Sequence, residues 1–165
     1  MGCGKSSVGK KLANRLQYSF LDIDEMIQKK EDTTIEKIFQ DKGEGYFRKL
    51  ENKYLRKLQE KNGNYVIATG GGLPCHDGNM DYMNESGLTI YLKMNTGQLF
   101  YRLKQAKKKR PLLQNKTEYE VIEYIEKKLK EREPYYNKAK IGFNAFNLKI
   151  SELVEQINQY HHYRM

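Results

Sequence analysis

Cysteine is scarce in this chain: Cys3 and Cys75 are the only two, and they stand far apart. They offer neither a metal-ligand spacing nor a disulfide framework. A reduced, cytoplasmic protein is the simplest reading. Long apolar runs are missing as well. None reaches the roughly 20 residues that a membrane-spanning helix needs, and the N-terminus has no apolar stretch of the signal-peptide kind. No internal repeat and no Gly/Ser-rich or Pro-rich linker divides the 165 residues. One domain is expected, able to bury about 70% of the surface of its unfolded chain.

Charge is what the chain has in plenty. Lys and Arg number 30 against 21 Asp and Glu, a formal net charge of +9. Apolar residues still recur at regular spacing, which excludes a disordered chain. The positive balance admits three uses. Nucleic-acid binding wants a basic face with aromatics between the charges. A membrane surface wants a basic amphipathic helix. An enzyme that handles phosphates and carboxylates wants basic side chains lining a cleft, where they also speed capture. Lys127, Lys128 and Lys130 read as solvating helix faces, and Tyr119 and Tyr124 form no stacking array. Nucleic-acid and membrane partners are therefore set aside, and a monomer is expected.

Helical patterns alternate with short apolar runs, which implies an α/β fold with a mainly parallel sheet. The first helix is expected from Lys5 to Leu16, with Val8, Leu12 and Leu16 on one face. A short strand at Phe20 to Asp22 precedes a helix starting near Asp24. Thr33 followed by Glu36 reads as a capping box for the next helix, and Phe47, Leu50, Tyr54 and Leu58 repeat at helical spacing. Residues 65–68 read as a buried strand ending at Gly70-Gly71-Gly72. Leu88 to Leu92 is the next strand, with Thr96 capping the helix after it. The basic segment from Lys104 to Lys116 lacks a period and reads as a mobile loop or lid. A helix from Glu118 to Arg132, stopped near Pro134, a weak strand at Ile141 to Phe143 and a helix from Ser151 follow.

The strongest local motif opens the chain: Gly2-Cys3-Gly4-Lys5-Ser6-Ser7. It matches the second half of a phosphate loop, G-x-x-x-x-G-K-[ST]. Glycines there let backbone N–H groups converge on phosphate oxygens, and the helix start adds its positive end. Lys5 is placed to reach the β- and γ-phosphates of ATP, and Ser6 to hold Mg²⁺. The first glycine of the motif would lie two residues before Met1, and the strand that feeds such a loop is absent. A misassigned start, a trimmed chain or a real loss would each explain this; the first is preferred. A chain with about ten more N-terminal residues is expected to be far more stable, since a central parallel strand leaves two unpaired edges when lost.

Asp22-Ile23-Asp24 closes the second apolar strand, with both carboxylates on the same side of an extended segment. One suits Mg²⁺ held through water, and the other suits a hydroxyl to be oriented or deprotonated. The plainer reading makes Asp24 a helix N-cap. Cys3 sits where loop N–H groups would favour its thiolate. His76, His161 and His162 have no matching ligand set.

Six segments in order then carry a family resemblance: Gly2 to Ser6, Asp22 to Asp24, Gly43 to Glu51, Gly70 to Gly72, Arg110 to Leu113, and Arg132 to Tyr136. Their pattern is Gly-x-Gly-Lys-Ser, Asp-x-Asp, Gly-Glu-x-x-Phe-Arg-x-x-Glu, Gly-Gly-Gly, Arg-Pro-Leu-Leu and Arg-x-Pro-x-Tyr. It resembles the shikimate kinase family. The resemblance implies a three-layer α/β/α P-loop kinase fold with five parallel strands in order 2-3-1-4-5, the first of them missing here. It implies transfer of the γ-phosphate of ATP to the shikimate 3-hydroxyl, a step of chorismate and aromatic amino-acid biosynthesis, with Mg²⁺. The shikimate-binding region would span about 24–61 and the lid about 104–118.

Residue roles follow from the same resemblance. Asp24 sits beside the accepting hydroxyl, and Asp22 helps place Mg²⁺ with Ser6. Arg48 and Arg132 grip the shikimate carboxylate, and Gly70, Gly71 and Gly72 contact its hydroxyls. Phe39 and Phe47 wall the pocket. Gly2, Cys3, Gly4, Lys5, Ser6 and Ser7 hold the nucleotide, Arg102 lies against adenine, and Arg110 swings over the transferring phosphate. The chemistry fits independently. Guanidinium forks bind carboxylates bidentately, and phosphoryl transfer needs positioning and positive charge more than covalent catalysis. Each arginine alone has a bland alternative: Arg48 pairing with Glu44 or Glu51, Arg132 with Glu133 or Glu155, Arg110 as one more charge after Lys107-Lys108-Lys109. Two other functions compete: a gluconate kinase-like enzyme, and a catalytically silent binder with an incomplete phosphate loop.

Overall fold

The computed structural model describes residues 2–58, 60–105 and 116–162. Among them helix α1 (Lys5–Leu16), strand β1 (Ser19–Asp22), α2 (Ile23–Glu31), α3 (Ile35–Leu58) and β2 (Tyr65–Ala68) form one half. A single 3₁₀ turn (Leu73–Cys75) leads to α4 (Asn79–Ser86), β3 (Ile90–Lys93), α5 (Thr96–Gln105), α6 (Glu118–Tyr136), β4 (Ile141–Asn144) and α7 (Ile150–His162). Alternation of helix and strand puts a crossover between paired strands, so pairing is parallel. That is what is seen: β1 pairs with β2, and β3 with β4, both parallel. Among the described residues these are two separate two-stranded sheets and not one; the pairs match the 2-3 and 4-5 neighbours of the expected order 2-3-1-4-5, and no strand pairing joins them.

Helix α1 joins the two halves. Its face of Val8, Leu12 and Leu16 packs in one cluster with Val66 of β2, Ile90 of β3, Phe143 of β4, and Leu153 and Ile157 of α7. A second cluster gathers Ile23 and Ile27 of α2, Ile38, Phe47, Leu50, Leu55 and Leu58 of α3, and Leu73. A third links Cys3 to Met94, Leu99, Val121, Ile125 and Ala145. No helix of the described residues is long and apolar enough to cross a membrane.

Local expectations fail where neighbouring polar groups compete for a cap. Asp22, not Asp24, caps α2, accepting from the N–H groups of Asp24 and Glu25 at 3.0 and 3.4 Å. Thr34 rather than Thr33 caps α3, accepting from Lys37 N–H at 3.2 Å. Thr33 is spent on ending α2, its N–H donating to Gln28 O. Asn95 and not Thr96 caps α5, accepting from Gln98 N–H at 2.9 Å. Helix α6 runs past Pro134 to Tyr136, because the next N–H, that of Asn137, still reaches Glu133 O at 2.8 Å. Helix α3 breaks its run at Gly43, where φ is 78°. Residues 65–68 form the expected strand but not a buried one: Ile67 is 38% exposed. Strand β2 has a single strand neighbour among the described residues. Helix α4 carries no sequence signal that marked it beforehand.

Candidate active site

The register of the first strand pair fixes one corner of the site. Asp22 lies opposite Ala68, so both strands end level. Asp24 and Gly70 each follow two residues later and meet at the carboxyl ends of the strands, where parallel sheets bind ligands. A side chain at Gly70 would strike Glu51 Oε1 and come within 3.0 Å of Asp24 Oδ1. At Gly72 a Cβ would lie 2.5–2.7 Å from the Arg48 guanidinium nitrogens. A side chain at either position would have to displace these charged ends, and the Arg48 end is held by its pairs with Glu44 and Glu51.

Arg48 is held before any ligand arrives. Its Nη1 donates to Glu51 Oε2 at 2.5 Å, and its Nη2 and Nε donate to Glu44 Oε1 at 2.6 and 3.1 Å. Burial works against its charge, but the hydrogen bonds to Glu51 and Glu44 outweigh that and raise its pKa. Glu51 is 1% exposed. Burial pushes its carboxyl up, Asp24 pushes it further, and Arg48 and Arg132 pull it back. Arg48, Arg132, Asp24 and Glu51 therefore share one electrostatic neighbourhood. Arg132 comes from α6, which touches the Leu73–Cys75 turn, as α3 does.

Beside Arg48, the Phe39 and Phe47 rings pack with centroids 4.9 Å apart and planes tilted by 39°, and the Arg48 Cζ lies 5.4 Å from the Phe47 ring centroid. Phe47 belongs to the core, 4% exposed, and Phe39 packs against it. Gly71 is bound from the far side: the Tyr136 hydroxyl donates to its carbonyl at 2.5 Å. Neither Glu51 nor Tyr136 carried a role in the sequence reading. Glu51 was findable, because it falls on the helix face of Phe47, Leu50, Tyr54 and Leu58, where a lone carboxylate needs a buried partner.

The phosphate loop is built largely from backbone. Gly4 precedes α1 at φ 85°, a conformation that costs other L-residues roughly 1–2 kcal/mol. Ser6 Oγ donates to Asp22 Oδ2 at 2.6 Å, bringing together the two groups expected to hold Mg²⁺. Lys5 Nζ lies 4.0 Å from Cys3 Sγ. Burial would raise the Cys3 thiol, yet nearby positive charge, Lys5 foremost, and loop N–H groups leave it below its ordinary value. The loop thus favours an anion. Arg102 reaches over it from α5, donating to Cys3 O at 2.7 Å. Ser7 is exposed on the first turn of α1. Arg110 and the middle of the expected lid lie outside the described residues.

A glycine-bounded loop entering α1 at Lys5, a serine hydroxyl bonded to a strand-end aspartate, and a second aspartate just beyond that strand fit the site of a P-loop kinase. Comparison with known proteins narrows this. The shikimate kinase family model matches residues 1–161. A shikimate kinase of Phocaeicola vulgatus is 41% identical over 155 residues, covering 94% of this chain and 88% of that protein. The crystal structure of shikimate kinase from Bacteroides thetaiotaomicron superposes with a TM-score of 0.90 at 37% identity, covering 98% of this chain and 94% of that one. Shikimate kinase from Acinetobacter baumannii, solved in complex with shikimate, gives a TM-score of 0.82 at 32% identity over 99% of this chain and 89% of that one. The chain belongs to the shikimate kinase family.

Proposed function

We propose that this chain transfers the γ-phosphate of ATP to the 3-hydroxyl of shikimate, with the site just described holding both substrates. The observation that supports this most is the Gly70–Gly72 turn, which lies against Asp24, Glu51 and Arg48 at once. Arg48 and Arg132 grip the shikimate carboxylate as guanidinium forks. Arg48 can do so because Glu51 and Glu44 already orient it. Phe39 and Phe47 form an apolar floor under the ring, and the glycine turn meets the hydroxyls. Asp24 stands beside the accepting hydroxyl.

The nucleotide lies on residues Gly2 to Ser7, with Lys5 at its phosphates and Arg102 near adenine. Ser6 and Asp22 supply hard oxygen donors close together and would hold Mg²⁺ here. When bound, that ion neutralises charge on the phosphates. In the reaction the hydroxyl oxygen bonds to the γ-phosphorus as the bond to the β-phosphate bridging oxygen breaks. The hydroxyl proton passes to Asp24, and ADP leaves. Arg110 is assigned to the lid over the transferring phosphate. A cytoplasmic monomer completes the reading.

A coupled ADP-release assay tests it. ADP release should require shikimate and not respond to gluconate. Asp24→Asn should lower kcat by roughly 100-fold or more, the usual loss when a positioned base is removed. Turnover with gluconate, or an Asp24→Asn enzyme of ordinary kcat, would refute the assignment.

A further inference from the structure

The Gly70–Gly72 turn has no side chains of its own to fix it, so its peptide planes need outside anchors. Two of its three carbonyls are satisfied locally. Gly70 O accepts from Leu73 N–H at 3.3 Å, and Gly72 O from Cys75 N–H at 2.9 Å. The middle carbonyl, that of Gly71, is different. It accepts from the Tyr136 hydroxyl, 65 residues away in sequence. Burial pushes the Tyr136 phenol up, with Arg132 pulling it partly back through its charge and a hydrogen bond to the same hydroxyl, so the hydroxyl keeps its proton and donates to Gly71 while it accepts from Arg132. The Tyr136 ring is itself held against Tyr91, centroids 5.0 Å apart.

Peptide geometry turns this bond into a constraint on substrate contacts. The Gly71 carbonyl and the Gly72 N–H belong to one planar unit and point in opposite directions. Fixing the first fixes the second. We infer that Tyr136 is a positioning residue for the acceptor site: its hydroxyl locks the Gly71–Gly72 peptide and so sets the direction of the Gly72 N–H. Tyr136 also sits one helical turn beyond Arg132 on α6. It ties the glycine turn to the helix that carries one of the two carboxylate-gripping arginines. This rests on the shikimate site proposed above.

Tyr136→Phe tests the inference, since it removes one oxygen and keeps the ring on Tyr91. The KM for shikimate should rise about tenfold, the equivalent of one good hydrogen bond. The KM for ATP should stay within about twofold, as the phosphate loop is untouched. In the substrate-free protein the Gly72 amide should exchange its hydrogen faster. Arg48→Ala serves as the reference. If Arg48→Ala raises the shikimate KM and Tyr136→Phe does not, the inference is overturned while the site stands. If neither raises it, both fall. A rise in the shikimate KM, alone or together with that for ATP, with unchanged Gly72 exchange would mean that Tyr136 acts through Arg132 or packing and not through the Gly71–Gly72 peptide, and would also overturn the inference.

Discussion

In the loop proposed to hold the nucleotide, most of the groups assigned to the ligand lie within six consecutive residues, from Gly2 to Ser7. At the Gly70–Gly72 turn they are side chains delivered from afar: Asp24 after β1, Arg48 and Glu51 from α3, Arg132 from α6. The first region depends on conformation, through Gly4 at φ 85°. The second depends on charge balance, through a buried carboxylate holding a half-buried arginine. The loop is open to damage at a glycine, whose loss changes the backbone path, as well as at the Lys5 and Ser6 side chains. A side-chain site fails when one partner is lost, because the other is left buried and unpaired.

The sharpest way to break this contrast is Arg48→Ala. It removes the carboxylate fork and strands Glu51, so kcat/KM for shikimate should fall by on the order of 100- to 1,000-fold, about 3–4 kcal/mol. Steady-state kinetics with each substrate varied would show it, and an equal loss for ATP would blur the two regions into one. A milder pair of changes crosses the regions. Gly4→Ala should raise the ATP KM about tenfold through left-handed strain. Gly72→Ala should instead raise the shikimate KM, because its Cβ would fall 2.5 Å from an Arg48 nitrogen that two glutamates hold in place. If both variants affected the same substrate, the division would be wrong.

The smallest effect is a pH dependence. Burial raises the Glu51 carboxyl above its ordinary 4.5. Folding thus favours its protonated form, a stabilisation complete below the unfolded-state value and lost as the pH climbs through the folded-state value. Glu51→Gln cannot titrate. The Tm of the wild type minus that of the variant should therefore decrease as the pH rises from 4.5. A difference that stays flat or grows would show that Arg48 wins over burial.

Legibility followed the same division. Helix α1 was readable to the residue, because it is local: a 3.6-residue apolar period suffices, and the glycines and lysine before it marked a candidate phosphate loop. Parallel pairing of β1 with β2 and of β3 with β4 was readable too. The caps were misread at Asp24, Thr33 and Thr96, since each stands beside a second polar residue and only the final backbone path decides between them. Arg48 and Arg132 carried roles by resemblance, but their partners did not. Glu51 looked like a surface ion pair until its 1% exposure was seen. Tyr136 closed a motif without showing what it touched.

The order of glycines, aspartates and arginines along this chain determined by itself which groups could bind phosphate and an organic acid, since those chemistries are properties of residue types and short spacings. The tertiary structure alone decided that Asp24, Glu51, Arg48, Gly71 and Tyr136 share one corner. Level strand ends and helix packing set that meeting, and they depend on distances across the fold that no local spacing encodes.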